Sequence, residues 1–269
     1  MMIDQIYYIN LDNRADRQFF MERRLFNFGL NSKRITAING DVLNNFLEKF
    51  FQRNKDNYYS SAVRCAGYLS CTFSHWLAVQ DALERGYETI LILEDDAILH
   101  KDFDSYLNKM FDEIKKENID WDIIYLGHYS RGFDYFTNEE TLSVDNIPIK
   151  DKMLYDITNL NFNSWCCHAL LYSDRNGLFN DIISDYSNNI PNDIDRNYLD
   201  SMKNRKDMKI FISFPQISIQ TETNVNISRN ESMEDYSSSL KRWFVPTDIE
   251  RTIASINQHY VNIEKDFII

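Results

Sequence analysis

The chain has 269 residues and a formal net charge of −12, from 29 Lys and Arg against 41 Asp and Glu. That length suits one large α/β domain with a well-filled core, and the acidic balance argues against a nucleic-acid binder, which needs a basic surface to track phosphates. No apolar run reaches the ~18 residues of a membrane-spanning helix, so no stable membrane insertion is expected.

The N-terminal stretch MMIDQIYYINLDNR lacks the basic region, apolar run and small-residue cleavage site of a signal peptide. Cys65, Cys71, Cys166 and Cys167 fit neither a disulfide scaffold nor zinc-finger spacing. The expectation is a soluble chain with mainly buried thiols in a reducing, cytoplasm-like compartment. QIYYINL, from Gln5 to Leu11, predicts a first strand, and Asp12 is placed to cap a helix with Met21, Leu25 and Phe28 at helical spacing, stopped by Gly29. RITAIN (Arg34 to Asn39) predicts a second strand, Gly40-Asp41 a turn, and about Val42 to Arg53 an aromatic-rich helical segment. Leu69, Phe73, Trp76, Val79 and Leu83 form the apolar stripe of a long helix that ends at Gly86, with Cys71, Ser74 and Ala78 on its small-residue face.

TILIL (Thr89 to Leu93) is a continuous apolar run, as expected of a strand covered on both faces, and it stops at three acids. A helix near Phe103 to Lys116 leads to a further buried strand over Trp121 to Gly127. The alternation predicts an α/β domain with a mainly parallel, Rossmann-like sheet flanked by helices. Ligands bind such sheets at the carboxyl ends of strands, where Asn10, Asn39, Glu94 and Gly127-His128 would lie. Regular pattern fades from about Tyr129 to Asn163, which suggests a lid or acceptor loop. WCCHALLYS (Trp165 to Ser173) predicts a strand, Arg175 to Tyr186 and Asp195 to Lys206 helices, KIFIS and ISIQT late strands, Asn224 to Ser239 a loop, and Thr247 to His259 a closing helix.

Four constellations carry candidate chemistry. Glu94, Asp95 and Asp96 repel one another unless a divalent cation relieves them, and oxygen-only donors suit magnesium or manganese completed by substrate phosphates; the alternative is a solvated strand end. Arg14 and Arg17 stand in a first helical turn whose positive dipole end already favours an anion, which suggests a phosphate or diphosphate; the alternative is pairing with Asp12 or Asp16. Ser74-His75 lies on the long helix, where a lone His is more often structural. In IPNDIDRNYLD, Asp193 is the better placed general base, while Asp195 and Asp200 also read as helix caps. No GxGxxG follows the first strand and no Walker motif occurs, which removes the usual dinucleotide and ATP readings.

YYINLDNRADR, RITAINGD, AGYLSCTFSHWLAVQDALERGYETILILEDDAIL and the IPNDID region with FPQISIQTE after it resemble, in that order, glycosyltransferase family 25, over about Ile6 to Ile227. The resemblance implies a GT-A fold in a single domain over 1–269, with a nucleotide-binding half (1–127) and an acceptor-side half with a C-terminal extension (128–269). It implies a UDP-sugar donor, UDP-galactose or UDP-glucose, with Mn2+ or Mg2+ held by Glu94 and Asp96 and with Asp95 near the sugar or metal. Asn10, Leu11, Arg14, Arg17, Ala37, Asn39, Gly40, Ser74 and His75 would line the donor site; Asn39 stands where the family more usually has Asp. Asp193 or Asp195 would serve as base, in place of the family's Pro-x-Asp-Glu pattern; in a retaining transfer Asp193 would lose that role. The acceptor is a hydroxyl on a protein or glycan, with collagen-like hydroxylysine or its galactosylated form among the candidates. The rival readings are a non-catalytic carbohydrate-binding or scaffold domain of the same fold and a metal-dependent phosphohydrolase.

Overall fold

The structure is a computed structural model, and it describes residues 3–43, 66–100, 102–127, 129–131, 152–158, 163–165, 167–188, 207–213 and 217–220. Its centre is a seven-stranded sheet. Three parallel strands begin it: β1 (Gln5–Asn10) lies between β2 (Ser32–Thr36) and β3 (Thr89–Glu94). β3 then pairs antiparallel with β9 (Ala169–Ser173), which pairs antiparallel with β5 (Ile123–Tyr125). β10 (Ile210–Ser213) continues parallel to β5, and β7 (Leu154–Asp156) closes the edge antiparallel to β10. β2, β1, β3, β5 and β10 therefore run in one sense, so the ends of β1, β2 and β3 share one carboxyl edge. The expected mainly parallel α/β sheet is present. Two further pairs, β4 (Ala97–Leu99) with β11 (Ser218–Gln220) and β6 (Tyr129–Arg131) with β8 (Asn163–Trp165), are antiparallel.

Both sheet faces are covered, which is why β1 and β3 read as continuous apolar runs. Tyr7, Ile9, Ile90 and Ile92 belong to one core cluster, with Ala78, Val79 and Ala82 of helix α2 (Ala66–Arg85) and Phe179 and Ile182 of α4 (Leu178–Asn188). Ile6, Tyr8, Leu91 and Leu93 belong to the other, with Met21 and Leu25 of α1 (Ala15–Asn27) and Phe103, Leu107 and Met110 of α3 (Phe103–Glu117). Each such aliphatic side chain contributes about 1.5–3 kcal/mol when fully covered. Among the described residues no helix is long and apolar enough to cross a membrane.

Several local expectations change. Asp12 does not cap α1: the cap position is Arg14, without a side-chain cap bond, and Asp12 Oδ1 instead accepts from Arg34 Nη2 at 2.8 Å. On α2 the covered face takes in the small and polar residues Ser74, His75, Ala78 and Ala82, at 0–1% exposure, together with Val79 of the apolar stripe at 0%, while Phe73, Trp76 and Leu83 are half-buried. The inner face therefore mixes small side chains with apolar ones, Trp76 and Leu83 packing against the core from its margin. β2 ends at Thr36, and Asn39 leaves the sheet to cap the helical turn that starts at Gly40, its Oδ1 accepting from Asp41 N at 2.8 Å. The stretch expected to lack pattern holds β6 and β7, strands of three residues that are too short to show a period. Gly29 and Gly86 stop α1 and α2 as expected, with φ of +65° and +70°. Most of the expected 42–53 helix, the 195–206 helix, the 224–239 loop and the 247–259 helix lie outside the described residues.

Asp81 ties α2 to the parallel strands. It accepts from Tyr7 Oη at 2.7 Å, Lys33 Nζ at 2.6 Å and Arg85 Nε at 3.0 Å. Burial alone would raise its carboxyl, but Lys33, Tyr7 and Arg85 hold it below the usual range. A carboxyl held low stabilises the fold fully above its unfolded value of about 3.9, and that contribution is lost as pH falls through the lower folded value. Asp81→Asn is expected to destabilise by about 1–3 kcal/mol near neutrality. In urea unfolding across pH, the gap to the parent protein should be constant above about pH 5 and shrink below about pH 4.

Gly127 follows β5 where there is no room for a side chain. A Cβ there would lie 2.2 Å from His168 Nε2 and 2.3 Å from the Ser218 carbonyl oxygen. Gly127→Ala must move buried backbone or His168, so a loss of at least about 1–3 kcal/mol is expected in the same unfolding assay.

Candidate functional site

The site forms where β1 and β3 end side by side. Ile9 is in register with Glu94, so Asn10 and the two acids after Glu94 emerge together at the carboxyl edge. α1 starts directly after β1 and presents its first turn to the same place. Asp95 is the meeting point: its Oδ2 accepts from Asn10 Nδ2 at 2.8 Å and its Oδ1 from Arg17 Nη1 at 2.6 Å. Arg17 Nη1 also lies 3.6 Å from Asp96 Oδ2. Side-chain exposures of 13% for Arg17, 9% for Asp95 and 8% for Asp96 make this a largely desolvated cluster, in which one guanidinium partly offsets two carboxylates.

Asn10 is 1% exposed and fully engaged. Its Nδ2 also donates to Arg14 O at 3.1 Å, and its Oδ1 accepts from Arg34 Nε at 3.0 Å. Arg34 adds a bond to Asn10 O at 3.3 Å and the one to Asp12, so it clamps the β1–α1 turn. Leu11 O accepts from Arg14 N within that turn, and Ala37 N donates to Asn10 O, each at 2.9 Å. Arg14 is bidentate to Asp16 at 2.9 and 2.8 Å, the simple surface pairing weighed against a phosphate role. That hydrogen bond holds the Asp16 carboxyl down at about 2, against the upward pull of burial.

Glu94 turns to the α2 side of β3, the side taken by Ile90 and Ile92. Its Oε1 is 3.2 Å from Cys71 Sγ and 3.2 Å from His75 Nε2. Burial would raise the Glu94 carboxyl, but His75 and the Cys71 thiol hold it below its ordinary value. Burial also lowers the nearby His168 imidazole to about 4, against the opposing pull of Glu94, so it is neutral near pH 7. Ser74 braces the backbone, its Oγ accepting from Ile38 N at 2.9 Å and donating to Ser70 O at 2.6 Å, which fixes the chain after β2 to α2.

Of the expected donor-site residues, the structure gathers Asn10, Arg17 and Asp95 by direct contact, with Asp96 beside Arg17. Ser74, Ala37 and Asn39 brace the adjoining backbone, and His75 stands with Glu94. Asp193 and Asp195 lie outside the described residues. Arg34, Cys71 and His168 were not singled out from sequence. For Cys71 a signal existed, since Cys71 and His75 are spaced i, i+4 on one helix; for Arg34 and His168 the contacts are long-range and leave no local mark.

Of the expected metal ligands, Asp96 stands just after the strand end and Glu94 at it, turned toward α2, while both Asp95 oxygens already accept bonds; magnesium-class ions take one or two carboxylates and complete their shell with substrate oxygens. Among the described residues, the group of three or more metal-capable side chains drawn together is Cys71, His75 and Glu94, which brings sulfur and nitrogen to the same corner.

Breaking the Arg17–Asp95 pair should show its energetic weight. Arg17→Leu leaves Asp95 without its guanidinium in a largely buried place and is expected to cost about 3–5 kcal/mol. The double variant with Asp95→Asn should recover more than half of that loss in chemical denaturation, and a strictly additive loss would mean that the pair is uncoupled.

Comparison with known proteins places these elements in context. The family model for glycosyltransferase family 25 (LPS biosynthesis protein) matches residues 3–175. Procollagen galactosyltransferase 2 of Mus musculus is 31% identical over 131 residues, which cover 47% of this chain and 21% of that protein. Procollagen galactosyltransferase 1 of Danio rerio is 32% identical over 132 residues, covering 47% and 22%. Inactive glycosyltransferase 25 family member 3 of Homo sapiens is 27% identical over 128 residues, covering 46% and 22%. The chain thus spans about a fifth of the length of these curated relatives.

Proposed function

The chain belongs to glycosyltransferase family 25, and on that premise we propose that it transfers a hexose, galactose or glucose, from a UDP-sugar to a hydroxyl of a protein or glycan acceptor. The observation that carries this reading is the convergence of Asp95 and Asp96 with Arg17 and the first turn of α1 at one carboxyl edge of the sheet. That corner combines acidic oxygens for a cation with a guanidinium and helix N–H groups for an anion, the pairing a nucleoside diphosphate needs. The similarity to procollagen galactosyltransferases favours galactose and a collagen-like acceptor, and we would try hydroxylysine peptides, plain or galactosylated, first.

In this proposal Glu94 and Asp96 hold Mn2+ or Mg2+ together with the donor's diphosphate, and residues 1–127 form the nucleotide half. Such an ion, when bound, neutralises charge that develops on the departing diphosphate. Arg17 adds positive charge at the same place, and Arg14 does so once it leaves Asp16. Asn10, with Arg34 behind it, keeps Asp95 oriented. Ser74 holds the chain that leads to Asn39 and Gly40 on the nucleotide side. Asp193 takes the acceptor proton in an inverting transfer, with Asp195 as the second candidate base; residues 128–269 supply the acceptor side.

A screen of UDP-sugars with manganese, scored by UDP release, tests the reading. One UDP-hexose is expected to turn over, and Asp96→Asn should lower kcat/KM by about 100-fold or more. Equal UDP release by the parent protein and Asp96→Asn with every donor would overturn it and favour a non-catalytic scaffold, in line with the similarity to inactive family members.

A further inference from the structure

The contacts of Glu94 differ in kind from those of its two acidic neighbours. Asp95 and Asp96 face nitrogen cations and amides from β1 and α1. Glu94 faces a thiol and an imidazole from α2. Cys71 and His75 are one helical turn apart, so both side chains leave the same face of α2 toward the end of β3. The three donor atoms, Cys71 Sγ, His75 Nε2 and Glu94 Oε1, lie within 4.8 Å of one another. The two contacts to Glu94 Oε1, each 3.2 Å, are close to the spacing between ligands around a small tetrahedral ion. With metal–sulfur bonds of ~2.3 Å and metal–nitrogen or –oxygen bonds of ~2.0–2.1 Å, tetrahedral angles separate neighbouring donors by roughly 3.3–3.6 Å.

We propose that Cys71, His75 and Glu94 form a binding position for a zinc-class divalent ion on the α2 side of β3, distinct from the proposed donor ion but sharing the Glu94 carboxylate with it. The donor set decides the class. Thiolate and imidazole are soft or borderline ligands that suit zinc and its neighbours, whereas magnesium and manganese take oxygen. Elements that hold their shape supply the ligands: two come from the long helix α2 and one from the end of a central strand. His75 is fully buried, while Cys71 and Glu94 are half-buried, so an ion reaches the position from one side. Three protein ligands leave a fourth place for water, the pattern of an open site rather than a closed structural one.

Binding displaces the Cys71 thiol proton to solvent and takes His75 as the neutral imidazole that carries its proton on Nδ1, and the ion takes the place of the two contacts to Oε1. Among the described residues the side-chain contacts of Glu94 fall on Oε1, and in this proposal Oε2 is shared with the donor's ion. Because Glu94 serves both positions, filling this one would tune the donor site through a single carboxylate. The inference does not rest on the proposed activity, since occupancy is read without donor or acceptor.

The test is cobalt and zinc titration of the full chain. Cobalt in this position is expected to give a thiolate-to-cobalt charge-transfer band and the intense visible bands of a tetrahedral ion. Cys71→Ser should remove the charge-transfer band, and His75→Ala should weaken zinc at least about tenfold in competition with a chromophoric chelator, whereas Asp96→Asn should leave both unchanged. X-ray absorption of the zinc-loaded parent protein covers the case in which a variant fails to fold: one sulfur at ~2.3 Å with nitrogen and oxygen at ~2.0–2.2 Å is expected. No charge-transfer band in the parent, a band that survives Cys71→Ser, a band lost in Asp96→Asn, or a sulfur-free zinc shell would each overturn the proposal. UDP release in the donor screen can succeed or fail independently of every one of these results.

Discussion

The corner where β1 and β3 end depends on one carboxylate. Asp95 accepts one bond from Asn10, at the end of β1, and another from Arg17, in the first turn of α1. Three elements distant in sequence are thereby locked at one point, with Asn10 in turn held by Arg34 from β2. A carboxylate this covered costs several kcal/mol to desolvate and persists because it receives two directed bonds, one of them charged. Without that tie, Asp96 would lose the guanidinium beside it and the first turn of α1 would lose its anchor to the sheet. The proposed donor site is a consequence of this tie, since its charges are useful only if they stay together.

Glu94, Asp95 and Asp96 are adjacent, yet they do not act alike. Strand alternation sends Glu94, the last residue of β3, to the α2 side with Ile90 and Ile92, while Asp95 and Asp96 lie in the turn that follows and face Arg17 of α1. One side of the sheet edge thus carries an oxygen-and-guanidinium environment and the other a thiol, an imidazole and a carboxylate. His168 adds a neutral, buried imidazole, held over Gly127, where no side chain fits. The structural residues around this edge, Asn10, Ser74 and Asn39, use their polar atoms on the protein's own backbone or side chains. Their value to a ligand is indirect, through the loops that they fix.

Much of this was legible in the residues. The apolar runs of β1 and β3 and the acids after β3 marked a buried sheet with a charged carboxyl edge, and the glycines after α1 and α2 marked where those helices stop. Periodicity told only part of α2, because Val79 of the apolar stripe is buried but Ser74, His75, Ala78 and Ala82 are buried beside it. Hydrophobicity alone does not report how closely a helix must approach a sheet. Three-residue strands such as β6 and β7 carry no period to detect. The pairing of Arg14 with Asp16 and of Arg17 with Asp95 could not be told apart from sequence, since both arginines sit among acids in similar local patterns. Arg34 and His168 gained their roles from tertiary placement alone.

In the proposed function a nucleoside diphosphate binds at the carboxyl edge formed by Asp95 and Asp96 beside Arg17. A crystal structure of the protein with UDP and manganese, with the ion located by anomalous scattering, addresses it most directly. The diphosphate is expected against the first turn of α1, with Arg17 in contact and the manganese peak within bonding distance of Asp96. A UDP molecule bound elsewhere, or a manganese peak away from these carboxylates, would contradict it.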